Sequence, residues 1–252
     1  MLHLGDSDQI KYIPGERVQI NDMNPDLICT YEAIRDDVQS LILELEKLSS
    51  DLSKAKYIEI RSQHYLQGIE RAARFIYLNK TGFNGLWRVN SKGEYNVPWG
   101  QLKNPTIFEA HHLQLVASRL KRMKISNRNF SESVESAGAG DVVYFDPPYI
   151  PLSNTASFSQ YAMADFGLAE QQELAQTIKS LNKKSVFVML SNSDTELSRE
   201  IFGNSLNLYQ IEAPRAIAAK ASSRGIVKEI LGCSELLLES KLPESMKLIS
   251  SL

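Results

Sequence analysis

Cysteine is almost missing from this sequence: Cys29 and Cys233 are the only two in 252 residues. Two thiols that far apart make neither a disulfide framework nor the clustered spacing of a zinc site, so both are expected to be reduced and structural, with no metal bound. No uninterrupted apolar run approaches the roughly 20 residues needed to cross a bilayer. The opening residues Met1-Leu2-His3-Leu4-Gly5-Asp6 lack the basic segment and apolar stretch of a signal peptide. The expectation is a cytoplasmic protein without a membrane partner. No internal repeat and no low-complexity tract is found either.

What is present suits an ordinary globular chain. At 252 residues, 43% of them hydrophobic, it can form one large domain or a catalytic core carrying a smaller insert. The net charge of −2 hides a strong asymmetry. Between Lys54 and Arg128 there are fourteen Lys or Arg against four Asp or Glu, a net of +10, so the remainder carries −12. A basic block inside an acidic chain fits a module that meets a polyanion; solvated helix faces would look the same by charge alone.

Hydrophobic spacing places the elements. Val18-Gln19-Ile20 reads as a strand, and Asn24 with Pro25 starts a helix reaching about Leu48. Tyr65, Ile69, Ala72, Ala73 and Ile76 repeat at helical spacing between Lys56 and Asn79. Gly82, Gly85, Gly93, Pro98 and Gly100 then break all periodicity, so residues 81–100 are expected as a loop and hairpin. A helix follows from about Phe108 to Arg122, then an apolar strand ending at Phe145. Beyond it come a helix at 169–181, a strand at 185–190, a helix at 195–202, and strands near 206–211 and 235–238. Strands alternating with helices predict an α/β fold with a mainly parallel sheet, whose ligands lie beyond the strands' carboxyl ends.

At such an end stands Asp146-Pro147-Pro148-Tyr149. Neither proline can donate to a ladder, so the segment must end its strand, and a rigid turn is one reading of it. The other reading is chemical. An exocyclic amine such as N6 of adenine is a poor nucleophile because its lone pair is delocalised into the ring. Two acceptors on its hydrogens, the Asp146 carboxylate and the Pro147 carbonyl, would draw the nitrogen toward tetrahedral geometry. The Tyr149 ring could stack on a base rotated out of a duplex. Such a site needs neither a metal nor a covalent intermediate.

The stretch Gly140-Asp141-Val142-Val143-Tyr144-Phe145-Asp146-Pro147-Pro148-Tyr149-Ile150-Pro151-Leu152-Ser153 resembles the signature of the Dam-type, D12-class DNA adenine-N6 methyltransferases. Residues 77–88, with Gly82-Phe83-Asn84-Gly85-Leu86-Trp87-Arg88, and 90–100, from Asn90 to Gly100, resemble that family's target-recognition hairpin. The similarity runs from about Val18 to the end, including Leu190-Ser191-Asn192-Ser193-Asp194 and the segment starting at Arg215. The resemblance implies a Rossmann-like sheet that uses S-adenosylmethionine, with an inserted helical and hairpin domain for double-stranded DNA. Residues 1–53 would begin the catalytic domain, 54–124 form the insert, and 125–252 complete the catalytic part. Asp22 matches the acid that holds the cofactor's ribose, although Asn21 to Asn24 could equally be a helix cap. Asn129-Phe130 stands where the family has Asp-Phe or Asp-Tyr against the cofactor's adenine, and an amide oxygen can still accept there. In the hairpin, Phe83 would be the wedge, with Asn84, Leu86 and Asn90 alongside. Arg88 would read guanine in the major groove and Pro98 would touch the edge of the site. The implied target is GATC or a relative of it, and the enzyme is expected as a monomer.

The family's Phe-x-Gly-x-Gly loop before Asp22 is not found: Gly5 and Gly15 do not form it. The sequence therefore predicts an N-terminally truncated sheet with weakened cofactor binding, and it leaves a catalytically impaired DNA-binding remnant as the alternative. Methyltransferases of RNA or protein glutamine use related tetrapeptides, but these usually begin with Asn and have no use for residues 83–100.

Overall fold

Asn24 and Pro25 start the first long helix as their chemistry dictates. The Asn24 side chain accepts from the N–H of Asp26 at 3.0 Å and of Leu27 at 3.4 Å, and Pro25, which has no N–H to satisfy, fills the first turn. The computed structural model describes residues 18–64, 66–152, 166–214, 226–234 and 247–249. Strand β1 (Val18–Asn21) leads to helices α1 (Pro25–Ser49), α2 (Lys54–Ser62) and α3 (Gly68–Thr81), a 3-10 turn (Phe83–Gly85), α4 (Ala110–Leu120) and β2 (Met123–Ser126). Then come α5 (Phe130–Ser133), β3 (Val142–Phe145), α6 (Leu168–Lys183), β4 (Phe187–Ser193), α7 (Glu196–Phe202), β5 (Asn207–Pro214), β6 (Ile226–Cys233) and β7 (Lys247–Ile249). The chain divides into two compact units, Met1–Asn129 and Phe130–Leu252. No helix among the described residues is long and apolar enough to cross a membrane.

In the first unit β1 and β2 pair in parallel, Val18 opposite Met123 and Asn21 opposite Ser126. Helix α1 packs on α3 and α4 around Leu41, Leu45, Tyr57, Tyr77 and Leu78, all inaccessible to solvent. The helical spacing between Lys56 and Asn79 does not yield one helix, because buried Arg74 of α3 donates to the carbonyls of Ile60 at 3.0 Å and Arg61 at 2.9 Å. The last carbonyls of a helix lack partners within it, so Arg74 caps the end of α2. Several cations of the basic block serve the fold, among them Arg74 here, Arg71 on Asp26 at 2.7 Å, Lys56 on Glu59 at 2.7 Å, and Arg61, which donates to the Val97 carbonyl at 3.3 Å.

The second unit holds a five-stranded sheet in the order β3-β4-β6-β5-β7. Among the described residues only β3 and β4 pair in parallel there, and the pairs β4–β6, β5–β6 and β5–β7 are antiparallel. The sheet is therefore mixed and not mainly parallel. The expected strand at 235–238 and the segment from Arg215 lie outside the described residues. Ile178, Val188, Leu190, Phe202 and Ile230 are fully buried in this unit's core, each worth about 1.5–3 kcal/mol relative to exposure.

Asp194, just past β4, ties this unit together. Arg199 of α7 grips its carboxylate at 2.6 and 2.8 Å, and Gln210 of β5 donates to it as well. Burial pushes the Asp194 carboxyl up, but the hydrogen bonds from Arg199 and Gln210 outweigh it and hold the group below its usual value. A lowered folded value means that the contribution is fully present above the unfolded value, about 3.9, and is lost as pH falls through the folded one. Asp194→Asn is expected to lower stability at pH 6, with the gap to the parent narrowing below about pH 4. Urea unfolding from pH 6 to 3 measures this, and a gap that stays constant would remove Asp194 from the acid response.

Candidate active site

Strand register sets the centre of the site. Phe145 lies opposite Leu190 in the parallel β3–β4 pair, so one residue on, Asp146 meets Ser191. The Ser191 hydroxyl donates to Asp146 Oδ1 at 2.8 Å and lies 3.0 Å from the Tyr144 hydroxyl. A carboxylate only accepts, so Ser191 donates to Asp146 and Tyr144 donates to Ser191. This chain of hydroxyls orients one carboxylate oxygen. Tyr149 is 37% exposed, yet its phenol is pushed up to about 12, first by burial and further by the Glu229 and Asp146 carboxylates, against a lowering interaction with the Ser191 hydroxyl. The ring is therefore uncharged at neutral pH.

Buried amides hold the chain at Pro148 and Ile150. Gln171 of α6 donates to the Pro148 carbonyl at 2.7 Å. Asn192 of β4 donates to Gln171 at 3.4 Å, and its oxygen accepts from the N–H of Ile150 and of Ser193, each at 2.9 Å. Both side chains are wholly inaccessible to solvent. Among the described residues the Pro148 carbonyl is thus occupied, whereas the Pro147 carbonyl has no donor. Residues 190–194 belong to the resemblance, but nothing local in the sequence gives Ser191 or Asn192 a role or marks Gln171.

In the first unit residues 81–100 form the expected hairpin, with bridges Gly82–Trp99 and Val89–Tyr95. Two buried tyrosines seat it: Tyr57 donates to the Val97 carbonyl at 2.9 Å, and the Tyr95 hydroxyl lies 3.1 Å from the carbonyls of both Leu78 and Leu86. Gly82 leaves room for this seat, since a Cβ there would meet the Tyr95 hydroxyl and, at 2.6 Å, the Leu78 carbonyl. Phe83, Leu86, Arg88 and Pro98 are exposed, and Asn84 holds the left-handed turn between them at φ 54°. Asn90 builds the hairpin tip: its oxygen accepts from the N–H of Lys92 at 2.9 Å and of Glu94 at 3.0 Å, and its amide donates to the Glu94 carboxylate at 2.9 Å. The Arg88 guanidinium donates from Nε to Asn96 Oδ1 at 2.7 Å.

Asp22 directly follows β1 and Asn129 lies three residues beyond β2, two strands paired at their ends by Asn21 opposite Ser126. Asn21 donates to the Arg128 carbonyl at 2.9 Å and accepts its N–H at 3.1 Å, while Asn127 donates to the Asp22 carbonyl at 2.7 Å. One oxygen of Asp22 accepts the Asn24 N–H at 2.7 Å, so the helix cap falls to Asn24 and Asp22 retains its second oxygen. In the second unit Phe130 packs edge-on against Phe145, ring centroids 6.4 Å apart, directly before Asp146.

Residues 9–217 match the D12 class N6 adenine-specific DNA methyltransferase family. The chain belongs to it. It is 40% identical over 224 residues to the Type II methyltransferase M1.LlaDCHI of Lactococcus lactis subsp. cremoris, covering 86% of this chain and 78% of that protein. Identity to the Type II methyltransferase M.MjaIII of Methanocaldococcus jannaschii is also 40%, over 83% of this chain and 76% of that protein. The DNA adenine methylase of Haemophilus influenzae is 34% identical, over 86% and 77% respectively. D12 methyltransferases take their methyl group from S-adenosylmethionine. Within the first unit, the half-buried carboxylate of Asp22, with one oxygen not taken by the Asn24 N–H, is of the kind that accepts from a ribose diol of that cofactor. When bound, the cofactor supplies a methyl group on a positively charged sulfur.

Proposed function

We propose that this methyltransferase modifies N6 of an adenine flipped out of duplex DNA, within GATC or a close relative of it. Residues 54–124 are the module that meets the duplex, and 1–53 with 125–252 carry the reaction. Asp146 Oδ2 and the Pro147 carbonyl accept the two amine hydrogens, and the uncharged Tyr149 ring stacks on the base. Asp22, Asn129 and Phe130 hold the cofactor. The observation that carries this reading is the exposed strip of Phe83, Leu86, Arg88 and Pro98 on a hairpin seated by Tyr57 and Tyr95. An arginine so presented can fork onto guanine O6 and N7, and an exposed phenylalanine can wedge between displaced pairs. The enzyme works as a cytoplasmic monomer, for which sedimentation equilibrium should return a mass near 28.4 kDa.

The test is the methylation rate on duplexes that each change one pair of GATC. Arg88→Ala is expected to relax selectivity at one guanine pair by about tenfold, since a bidentate contact discriminates by roughly 1–3 kcal/mol. Phe83→Ala should slow every duplex by a common factor, because a wedge reads no hydrogen-bond pattern. If Arg88→Ala lowers all rates equally, Arg88 is a phosphate contact and GATC reading lies elsewhere.

A further inference from the structure

We propose that Asn96 is a positioning residue for sequence reading: it fixes which edge of the Arg88 guanidinium faces the base. This rests on Arg88 being the guanine reader. The two residues face each other across the hairpin, since the Val89–Tyr95 bridge sets them opposite and the Asn96 N–H donates to the Arg88 carbonyl at 3.0 Å. Arg88 Nε donates to Asn96 Oδ1 at 2.7 Å, and Nη2 lies 3.4 Å from the Asn96 carbonyl. Only an oxygen can accept from Nε–H, so the contact also fixes the Asn96 amide.

The platform beneath this contact is rigid. Tyr95 and Val97, on either side of Asn96, are 4% and 1% exposed. Tyr57 holds the Val97 carbonyl at 2.9 Å and the Tyr95 hydroxyl reaches the Leu78 carbonyl at 3.1 Å. Side chains alternate along a strand, so Asn96 turns away from the core that its neighbours enter and stands on the outer face with Arg88. A free arginine samples many rotamers and must be ordered when it binds a base. With Nε engaged, the chain is ordered beforehand, and the Nη1–Nη2 edge is the pair of donors left to fork onto O6 and N7. Preorganisation of this kind strengthens the cognate contact and leaves phosphate contacts untouched.

The experiment is equilibrium competition for this protein between a GATC duplex and duplexes with one guanine pair replaced, a readout that does not require turnover. Asn96→Ala is expected to reduce the preference for the guanine pair by about three- to tenfold, in line with coupling between contacting residues. The double variant Arg88→Ala with Asn96→Ala should match Arg88→Ala alone, because Asn96 acts only through the arginine. Asn96→Asp keeps an acceptor for Nε–H; it should retain the preference while weakening all duplexes alike through its added negative charge. Asn96→Ser, too short to reach Nε, should behave as Asn96→Ala and guards against a misfolded variant. An unchanged preference in Asn96→Ala and Asn96→Ser, when Arg88→Ala does change it, overturns the positioning role alone. A further loss on adding Asn96→Ala to Arg88→Ala does the same, since Asn96 would then read the base itself. If Arg88→Ala leaves the preference intact, the guanine-reading assignment falls and the inference falls with it.

Discussion

Asp146→Ala is expected to reduce methyl transfer by a factor on the order of 10² to 10⁴ while changing duplex affinity by no more than about threefold. The carboxylate stands at the end of β3 with Oδ1 held by Ser191, itself oriented by Tyr144, so that one oxygen is fixed and the other is directed by it. On the proposed reading, removing the carboxylate leaves the Pro147 carbonyl as the remaining acceptor for the amine, and one hydrogen bond draws the nitrogen lone pair out of the ring less than two do. The hairpin and its exposed strip belong to the other compact unit, seated by Tyr57 and Tyr95, and should bind DNA as before. Single-turnover transfer of labelled methyl groups and fluorescence anisotropy of a labelled duplex measure the two halves of the result. Transfer within a few-fold of the parent would remove Asp146 from the reaction. Ser191→Ala should give a milder loss of the same kind, since the carboxylate remains but is free to rotate.

Asn192→Ala should be the most damaging substitution for stability among the polar residues of the site. Its amide oxygen is the acceptor for the N–H groups of Ile150 and Ser193, and its nitrogen donates to Gln171, all in a place that solvent does not reach. Each buried polar group left without a partner costs about 1–3 kcal/mol, so a loss of roughly 2–5 kcal/mol follows. For a chain of this size that corresponds to a melting temperature lower by about 5–15 °C. Gln171 would lose its support as well, and with it the bond that holds the Pro148 carbonyl. A shift of about 1 Å in a reacting group can cost on the order of 10²-fold in rate, so turnover should fall even at temperatures where the variant is folded. Calorimetric melting combined with rates at 15 °C separates the two effects. A melting point within about 2 °C of the parent would mean that Asn192 is not the support described here.

Local chemistry was the legible part. Asn24 and Pro25 announced the start of α1, the glycines after Thr81 announced a hairpin, and the apolar run to Phe145 followed by two prolines announced a strand that had to stop. Each of these depends on residues within a few positions of one another. The gap between α2 and α3 was not legible, because Arg74 reaches back 13 and 14 residues to take the α2 carbonyls, and periodicity does not register a side chain acting at that distance. The strand that holds the site was also misplaced. Its last three residues, Ser191, Asn192 and Ser193, are polar and buried, so they read as loop when strands are sought as apolar runs.

By itself the sequence determined the family, since two separated signatures stood in order, and it determined most helices and the presence of the hairpin, though not that Asn90 builds its tip. It named Asp146 and the prolines because a strand end, a carboxylate and two rigid rings are contiguous in the chain. The partners that give those groups a direction were decided only by the folded chain. Ser191 lies 45 residues from Asp146, Asn192 lies 42 from Ile150, and Gln171 lies 23 from Pro148. Which of many serines, asparagines and glutamines meets a given group depends on the register of β3 against β4 and on where α6 packs. Register is a property of two segments paired together, set by the burial of their shared face, so no single stretch of sequence carries it.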